Sequence, residues 1–341
     1  MLPSVGTASA ASAKPLEEAP ERSRQRDPWR VVRRPGDRLA EILIHLLAGT
    51  AIVAVALIFL FVAKEALPLF FSEEVMKEVT LAKMWFAQQW PGYDAAEHVW
   101  QPISEVPKYG LWPLIIGSVK VTLVAMLIAT PLGVGAAVWV AEFARPRLRS
   151  WLKPIVELMA GIPSVVLGFF ALIVLATWLQ DTFDLDSRLS ALLAGIGLSF
   201  ALIPIIFTMA DEALRAVPRS YVEASTALGA RRYQTVLQVL LPAAAPGIFA
   251  GLALAFGRAI GETMIVLMAS GNAAIVSASL LDSTRTLPAT VAAELAEVVF
   301  GGAHYTVLFF IGALLFVLTF AVNLAGGAII ERMKLRLGVK R

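Results

Sequence analysis

Six long apolar runs separated by charged segments dominate the sequence. They fall at residues 42–63, 113–140, 154–179, 190–210, 244–269 and 304–329. Each is about 20 residues or more with few charges, long enough as a helix to cross a hydrocarbon layer about 30 Å thick. Each is therefore predicted to be a transmembrane helix. Between the first two runs, SEEVMKEVTLAKMWFAQQW shows helical apolar spacing and carries Trp85 and Trp90 near its end. It predicts an amphipathic helix lying on the outer surface of the membrane. The stretch RTLPATVAAELAE in 270–303 is too short and too polar to span, and both a re-entrant and an interfacial helix fit it. Pro131, Pro163 and Pro204 fall inside the second, third and fourth runs, where a proline removes a helical hydrogen bond and kinks the chain. The fifth run holds the pairs Gly247/Gly251 and Gly257/Gly261, at the spacing that lets helix backbones approach closely.

Composition turns this pattern into a class. The chain has 341 residues, of which 58% are hydrophobic and 16% charged, with mean hydropathy +0.73. An average soluble protein carries about 25% charge, so a water-soluble enzyme is excluded. Too much hydrophobicity excludes general disorder, and the absence of cysteine excludes a disulfide scaffold. What remains is an all-α membrane protein with six transmembrane helices. The net charge of +3 is small for a nucleic-acid binder, and its distribution says more than its size. With the N-terminus inside, cytoplasmic segments hold 21 of the 29 Lys and Arg residues. This asymmetry obeys the positive-inside rule and places both termini in the cytoplasm. Trp112, Trp139, Trp151 and Trp178 lie near the ends of the second and third runs, where indole rings anchor to the interface.

Boundaries follow from the runs. Residues 1–40 read as a disordered basic cytoplasmic tail without the apolar core of a signal peptide. Residues 41–70 hold the first transmembrane helix and 71–111 an external loop. Residues 112–330 form a transmembrane core with a cytoplasmic loop at 219–242, and 331–341 a basic C-terminus.

The most informative stretch is that loop, YVEASTALGARRYQTVLQVLLP at residues 221–242. It is too polar to span, and reads as two short helical pieces broken at Gly229 and stopped at Pro242. Glu223, Ala224 and Ser225 form one face, and Arg231 and Arg232 follow the turn. The segment resembles the EAA loop of permease subunits of ATP-binding-cassette importers, with Glu223, Ala224, Gly229, Leu241 and Pro242 in register. Ser225 and Val239 stand where that pattern has Ala and Ile. Three further stretches are similar to the phosphate-specific transport permease family of the PstC type. They are LWPLIIGSVKVTLVAMLIATPLGVGAAVWVAEFA, VELMAGIPSVVLGFFAL and GRAIGETMIVLMASGN.

The resemblance implies a type I importer permease (MetI-like) fold. It also implies an inner-membrane location and half of a phosphate pathway, with no cofactor bound by this chain. ATP and Mg would be bound by a separate ATPase dimer that receives the loop as a coupling helix. The implied partners are that ATPase, a homologous second permease (PstA type), an extracytoplasmic phosphate-binding protein and the lipid bilayer, with no nucleic acid.

Charges inside the apolar runs are the candidate chemistry. Arg258 and Glu262 are four residues apart in the fifth run, hence on one face of a continuous helix. Each costs on the order of 3 kcal/mol to bury in a bilayer. Mutual pairing and a pathway role both fit them: a guanidinium forks onto an oxyanion bidentately, and Glu262 would hold it in place. Thr263 belongs to the same motif. Ser118, Thr122 and Ser164 offer hydroxyl donors, although bonding back to the helix is commoner for such residues. Lys120 and Glu157 lie within about a turn of an interface, where snorkelling to the headgroups is expected. His45, His98 and His304 are scattered, with no metal spacing and no catalytic pairing.

Two other classes account for less of the sequence. An ion-coupled secondary transporter would leave the 219–242 segment unexplained, and permeases for sulfate or molybdate share the oxyanion chemistry. An enzyme would need a nucleophile with its base or a metal site, and no HExxH or GxSxG pattern occurs in the runs. Nor is there a phosphate-binding GxxxxGK[ST] loop.

Overall fold

The computed structural model describes residues 35–336, so most of the predicted basic tail and the last part of the C-terminus lie outside the described residues. Fifteen α-helices follow one another: α1 (Pro35–Ala66), α2 (Pro68–Phe71), α3 (Glu73–Glu78), α4 (Leu81–Trp85), α5 (Trp112–Val138), α6 (Pro146–Ala160), α7 (Ser164–Phe170), α8 (Ala176–Phe183), α9 (Ala191–Arg215), α10 (Arg219–Ala227), α11 (Arg232–Thr235), α12 (Leu241–Ile260), α13 (Met264–Ala269), α14 (Leu287–Glu294) and α15 (Ala303–Arg336). Among the described residues six helical stretches are long and apolar enough to cross a membrane: 39–71, 112–143, 164–183, 191–215, 232–260 and 303–335. That number agrees with the apolar runs, but several boundaries do not.

The chain divides into two units, residues 1–55 and 56–341. The described part of the first is the N-terminal portion of α1, whose apolar side chains Leu43, Leu47 and Ile52 stand in the open. Within the described residues α1 already includes Pro35, a residue that a first helical turn accommodates well.

In the second unit, α9 is the central element. Leu193, Leu198, Leu202, Ile206 and Phe207 are all at most 1% exposed, packed among α5, α12 and α13. Small residues bring the helices this close. A Cβ on Gly195 would lie 2.4 Å from the Cγ1 of Val124, and one on Gly251 would lie 2.5 Å from the Cβ of Met209. The Gly247/Gly251 pair therefore docks α12 on α9. Pro131 and Pro204 do lie inside α5 and α9, as expected.

Two breaks correct the expected spans. The third span starts at Ser164 rather than 154, because α6 ends at Ala160 and Pro163 is extended at φ −59°, ψ 138°. A proline disfavours helical geometry at the residue before it, so Gly161-Ile162-Pro163 separates two helices instead of kinking one. Glu157 consequently sits on α6, outside the six membrane-length helices, half exposed and 3.9 Å from Lys153. The fifth span ends at Ile260 and begins at Arg232. Pro242 does not stop a helix either. A π turn at Val236–Leu240 joins α11 to α12, with the Leu241 amide donating to the Val236 carbonyl, and Pro242 occupies the first turn of α12.

The expected amphipathic surface helix in 71–111 is replaced by a small folded substructure. The β-branched pair Val79 and Thr80 is extended and separates α3 from α4. Two short antiparallel pairs follow, β1 (Gln88–Gln89) with β2 (Ala96–Glu97) and β3 (Trp100–Gln101) with β4 (Lys108–Tyr109). Leu69, Val75, Met84, Trp100 and Tyr109 form a core with Val307, Leu308 and Ile311 of α15. One buried carboxylate ties these parts together. Glu294 accepts from Arg285 Nη1 at 2.7 Å, His304 Nε2 at 2.8 Å and Trp100 Nε1 at 3.2 Å.

Between α13 and α14 the chain leaves helical geometry, yet its backbone is paired with the bundle. Leu192 donates to the Leu280 carbonyl at 2.8 Å, Ala191 to Asp282 at 3.1 Å and Thr284 to Ser270 at 2.9 Å. Lys120 is 9% exposed, and its ammonium donates to the Ser277 and Ser279 carbonyls at 3.1 and 2.7 Å. It clamps this segment rather than snorkelling, because two carbonyls within reach replace the headgroups. The same segment lies so close to α5 that a Cβ on Gly117 would come within 2.1 Å of the Arg285 carbonyl oxygen. The chain then enters α14, whose first residues Leu287, Pro288, Ala289 and Thr290 are buried in protein.

Two outcomes follow. Gly117→Ala should lower unfolding stability in detergent by about 1–3 kcal/mol, the cost of overpacking, whereas Gly135→Ala, which meets nothing within 4 Å, should not. For Glu294, burial raises the carboxyl, but the donors His304, Trp100 and Arg285 outweigh it and hold the group below the usual carboxylate range. A depressed folded pKa gives stability that is present at neutral pH and lost as pH falls through that range. Thermal unfolding of Glu294→Gln should therefore depend less on pH below about 5 than that of the wild type.

Candidate functional site

Helix α12 carries Arg258 in its last turn and ends two residues later. Gly261 turns the chain, its amide donating to the Ala259 carbonyl, and Glu262 bonds through its own amide to the same carbonyl at 3.3 Å. Thr263 then precedes α13, its hydroxyl donating to the Gly261 carbonyl at 3.2 Å. Arg258 and Glu262 are thus separated by a helix break and do not share a helical face. No ion pair joins them among the described residues. The glycine explains the difference: its small helix propensity lets the ladder stop where a side chain would favour continuing it. Arg258 is exposed and its guanidinium has no partner among the described residues, while Glu262 is half-buried.

The remaining predicted pathway residues fall into three places. Thr263 borders an open cleft of about 480 Å³ walled by Pro288, Val291 and Leu295 of the α14 region and by Gly312 and Leu315 of α15. Ser118 and Thr122 of α5 border a separate small cavity of about 70 Å³, facing Phe256 and Ile260 of α12 and Leu318 of α15. The Ser118 hydroxyl is already committed, donating to Leu114 at 2.8 Å and accepting from the Leu287 amide at 3.0 Å. It therefore fixes the start of α14 and is not free for an anion. Ser164 opens α7. That helix packs on α13 through Gly168, where a Cβ would lie 2.7 Å from the Met268 sulfur and 3.2 Å from the Met264 carbonyl.

The 219–242 segment forms a projecting helix and its return. No residue of α10 is buried, and Tyr221 and Leu228 are 54% and 89% exposed. Gly229 takes φ +81°, a left-handed geometry that costs a glycine nothing. The two arms are then pinned. The Ser225 and Thr235 hydroxyls lie 3.0 Å apart, and the Arg231 amide donates to the Gln234 side chain at 2.8 Å. Arg232 stacks 5.5 Å over the Phe143 ring, while Glu223, Ala224 and Arg231 stay exposed. Leu241 is half-buried, and Pro242 borders a groove of about 650 Å³ between α9, α10 and α12 that Lys334 also reaches.

Sequence reasoning missed one charged element near this segment. Asp211 of α9 is 1% exposed and pairs with Arg215 Nε at 2.8 Å and Lys153 Nζ of α6 at 3.7 Å. Its signal was a carboxylate four residues before an arginine at the end of an apolar run.

Comparison with known proteins places this architecture. The family described as binding-protein-dependent transport system inner membrane component matches residues 129–335. The probable ABC transporter permease protein YqgH of Bacillus subtilis is 37% identical, over 65% of this chain and 72% of its own length. The phosphate transport system permease protein PstC of Mesorhizobium japonicum is 34% identical, over 70% of this chain and 78% of its own. PstC 2 of Mycobacterium tuberculosis is 30% identical over 87% and 92%. Among solved structures, an inward-facing methionine ABC transporter shares the fold with TM-score 0.50 at 22% identity, covering 66% of this chain and 94% of its own. A bacterial alginate ABC transporter does so with TM-score 0.55 at 15% identity, covering 88% and 98%. With six membrane-length helices and this match over most of its transmembrane core, the chain belongs to the binding-protein-dependent transport system inner membrane components, and is a multi-pass permease subunit rather than an enzyme.

Proposed function

We propose that the chain forms half of the phosphate pathway of an ATP-driven importer, with both termini in the cytoplasm. A homologous second permease completes the pathway. An extracytoplasmic phosphate-binding protein delivers substrate to the face formed by the 71–111 and 270–303 segments. A separate ATPase dimer binds the nucleotide and Mg, and its closure is transmitted through α10 and its return, with Glu223, Ala224, Ser225, Arg231 and Arg232 at the contact.

One observation carries the reading: Arg258 has no partner among the described residues, although it sits in an apolar span beside a helix break. An unpaired charge there is costly, and an anion passing the break would satisfy it with a bidentate fork. Glu262 and Thr263, in the break itself, line the same passage. The phosphate-transport names of relatives at 30–34% identity support the substrate.

Arg258→Gln, reconstituted with the partner subunits, should import phosphate at least about tenfold more slowly, a loss near 1.4 kcal/mol, while inserting normally. Wild-type uptake by this variant would refute the pathway role. Gly229→Pro cannot hold φ +81°, since proline is fixed near −65°. It should leave ATP hydrolysis no longer tied to uptake, and stimulated hydrolysis together with uptake at wild-type levels would remove the coupling role.

A further inference from the structure

Helices α12 and α15 touch at two glycines. A Cβ on Gly326 would lie 2.9 Å from that of Ala253, and one on Gly257 would lie 3.5 Å from Asn323 Oδ1 and 3.9 Å from Nδ2. Asn323 thus faces the residue adjacent to Arg258. It lies within an apolar membrane-length helix, is exposed, and its carboxamide makes no hydrogen bond among the described residues. Its neighbour one turn earlier, Thr319, satisfies its own hydroxyl on the Leu315 carbonyl, so the open valence belongs to Asn323. An amide turned to hydrocarbon without a partner is costly, so this flank of the α12–α15 pair faces something polar.

We propose that Asn323 is a second polar contact for the transported oxyanion, set beside Arg258 across the Gly257 contact. This rests on the reading of Arg258 as a pathway residue. The chemistry of the two side chains is complementary. A guanidinium only donates, whereas a carboxamide both donates and accepts. Phosphate keeps at least one hydroxyl at neutral pH, so it offers a donor as well as acceptors and needs both kinds of partner.

The test is the number of phosphate ions imported per ATP hydrolysed in proteoliposomes holding both permeases, the ATPase and loaded binding protein. Asn323→Leu should lower this ratio about tenfold, the scale of one lost polar contact. Asn323→Asp should lower it further by pairing with Arg258 and repelling the anion, and Asn323→Gln should restore most of it. Arg258→Gln is run in parallel. A normal ratio for Asn323→Leu with loss for Arg258→Gln would overturn the role of Asn323 and leave the pathway reading standing. Normal ratios for both would overturn both. Equal loss in Leu, Asp and Gln variants, together with reduced protein in the membrane, would assign Asn323 to helix packing and overturn the proposal.

Discussion

Within an apolar layer, a backbone amide or carbonyl that leaves a helix has to be paired inside the protein. The bundle of this permease is arranged around that requirement. The chain leaves helical geometry at Gly161–Pro163, at Gly261–Thr263 and along the irregular segment from 271 to 286. That segment is held by amides at the start of α9 and by the Lys120 ammonium. Thr286 caps α14 through the Ala289 amide, and Ser118 takes the Leu287 amide. Arg188 likewise reaches the Leu172 carbonyl at 3.0 Å, in the π turn between α7 and α8. Many polar side chains in the bundle are occupied in this way, whereas Arg258 and Asn323 have no side-chain partner among the described residues.

The same contrast separates the two ends of the proposed machine. Motion at α10 has to reach the helix break through something stiff. α11, the π turn and α12 run as one helix of 29 residues from Arg232 to Ile260. The rod begins beside Gly229 and ends beside Arg258. Along its length Gly247 and Gly251 press it onto α9, where Asp211 pairs with Lys153 of α6 and with Arg215. A displacement of the α10 arm would be carried by this rod toward the passage residues.

The number of spans and the projecting 219–242 segment were legible because each depends on local signals: runs of apolar residues, and a glycine between two short helical patterns. The misjudged boundaries depend on competition that periodicity does not record. An apolar run reads the same whether Gly161-Ile162-Pro163 kinks a helix or ends it. A spacing of four pairs Arg258 with Glu262 only if Gly261 continues the helix. Lys120 looked like a snorkelling lysine because its partners, the Ser277 and Ser279 carbonyls, are about 160 residues away in sequence and carry no side-chain signature. The resemblance of the GRAIGET stretch located the motif but not the break within it.

The proposed phosphate passage depends on Arg258. The most direct measurement is ATP-dependent uptake by the reconstituted complex, comparing phosphate with sulfate and molybdate. Phosphate imported in preference to both, with uptake dependent on Arg258, is the predicted result. Uptake of sulfate or molybdate in place of phosphate, or phosphate uptake indifferent to Arg258, would contradict it.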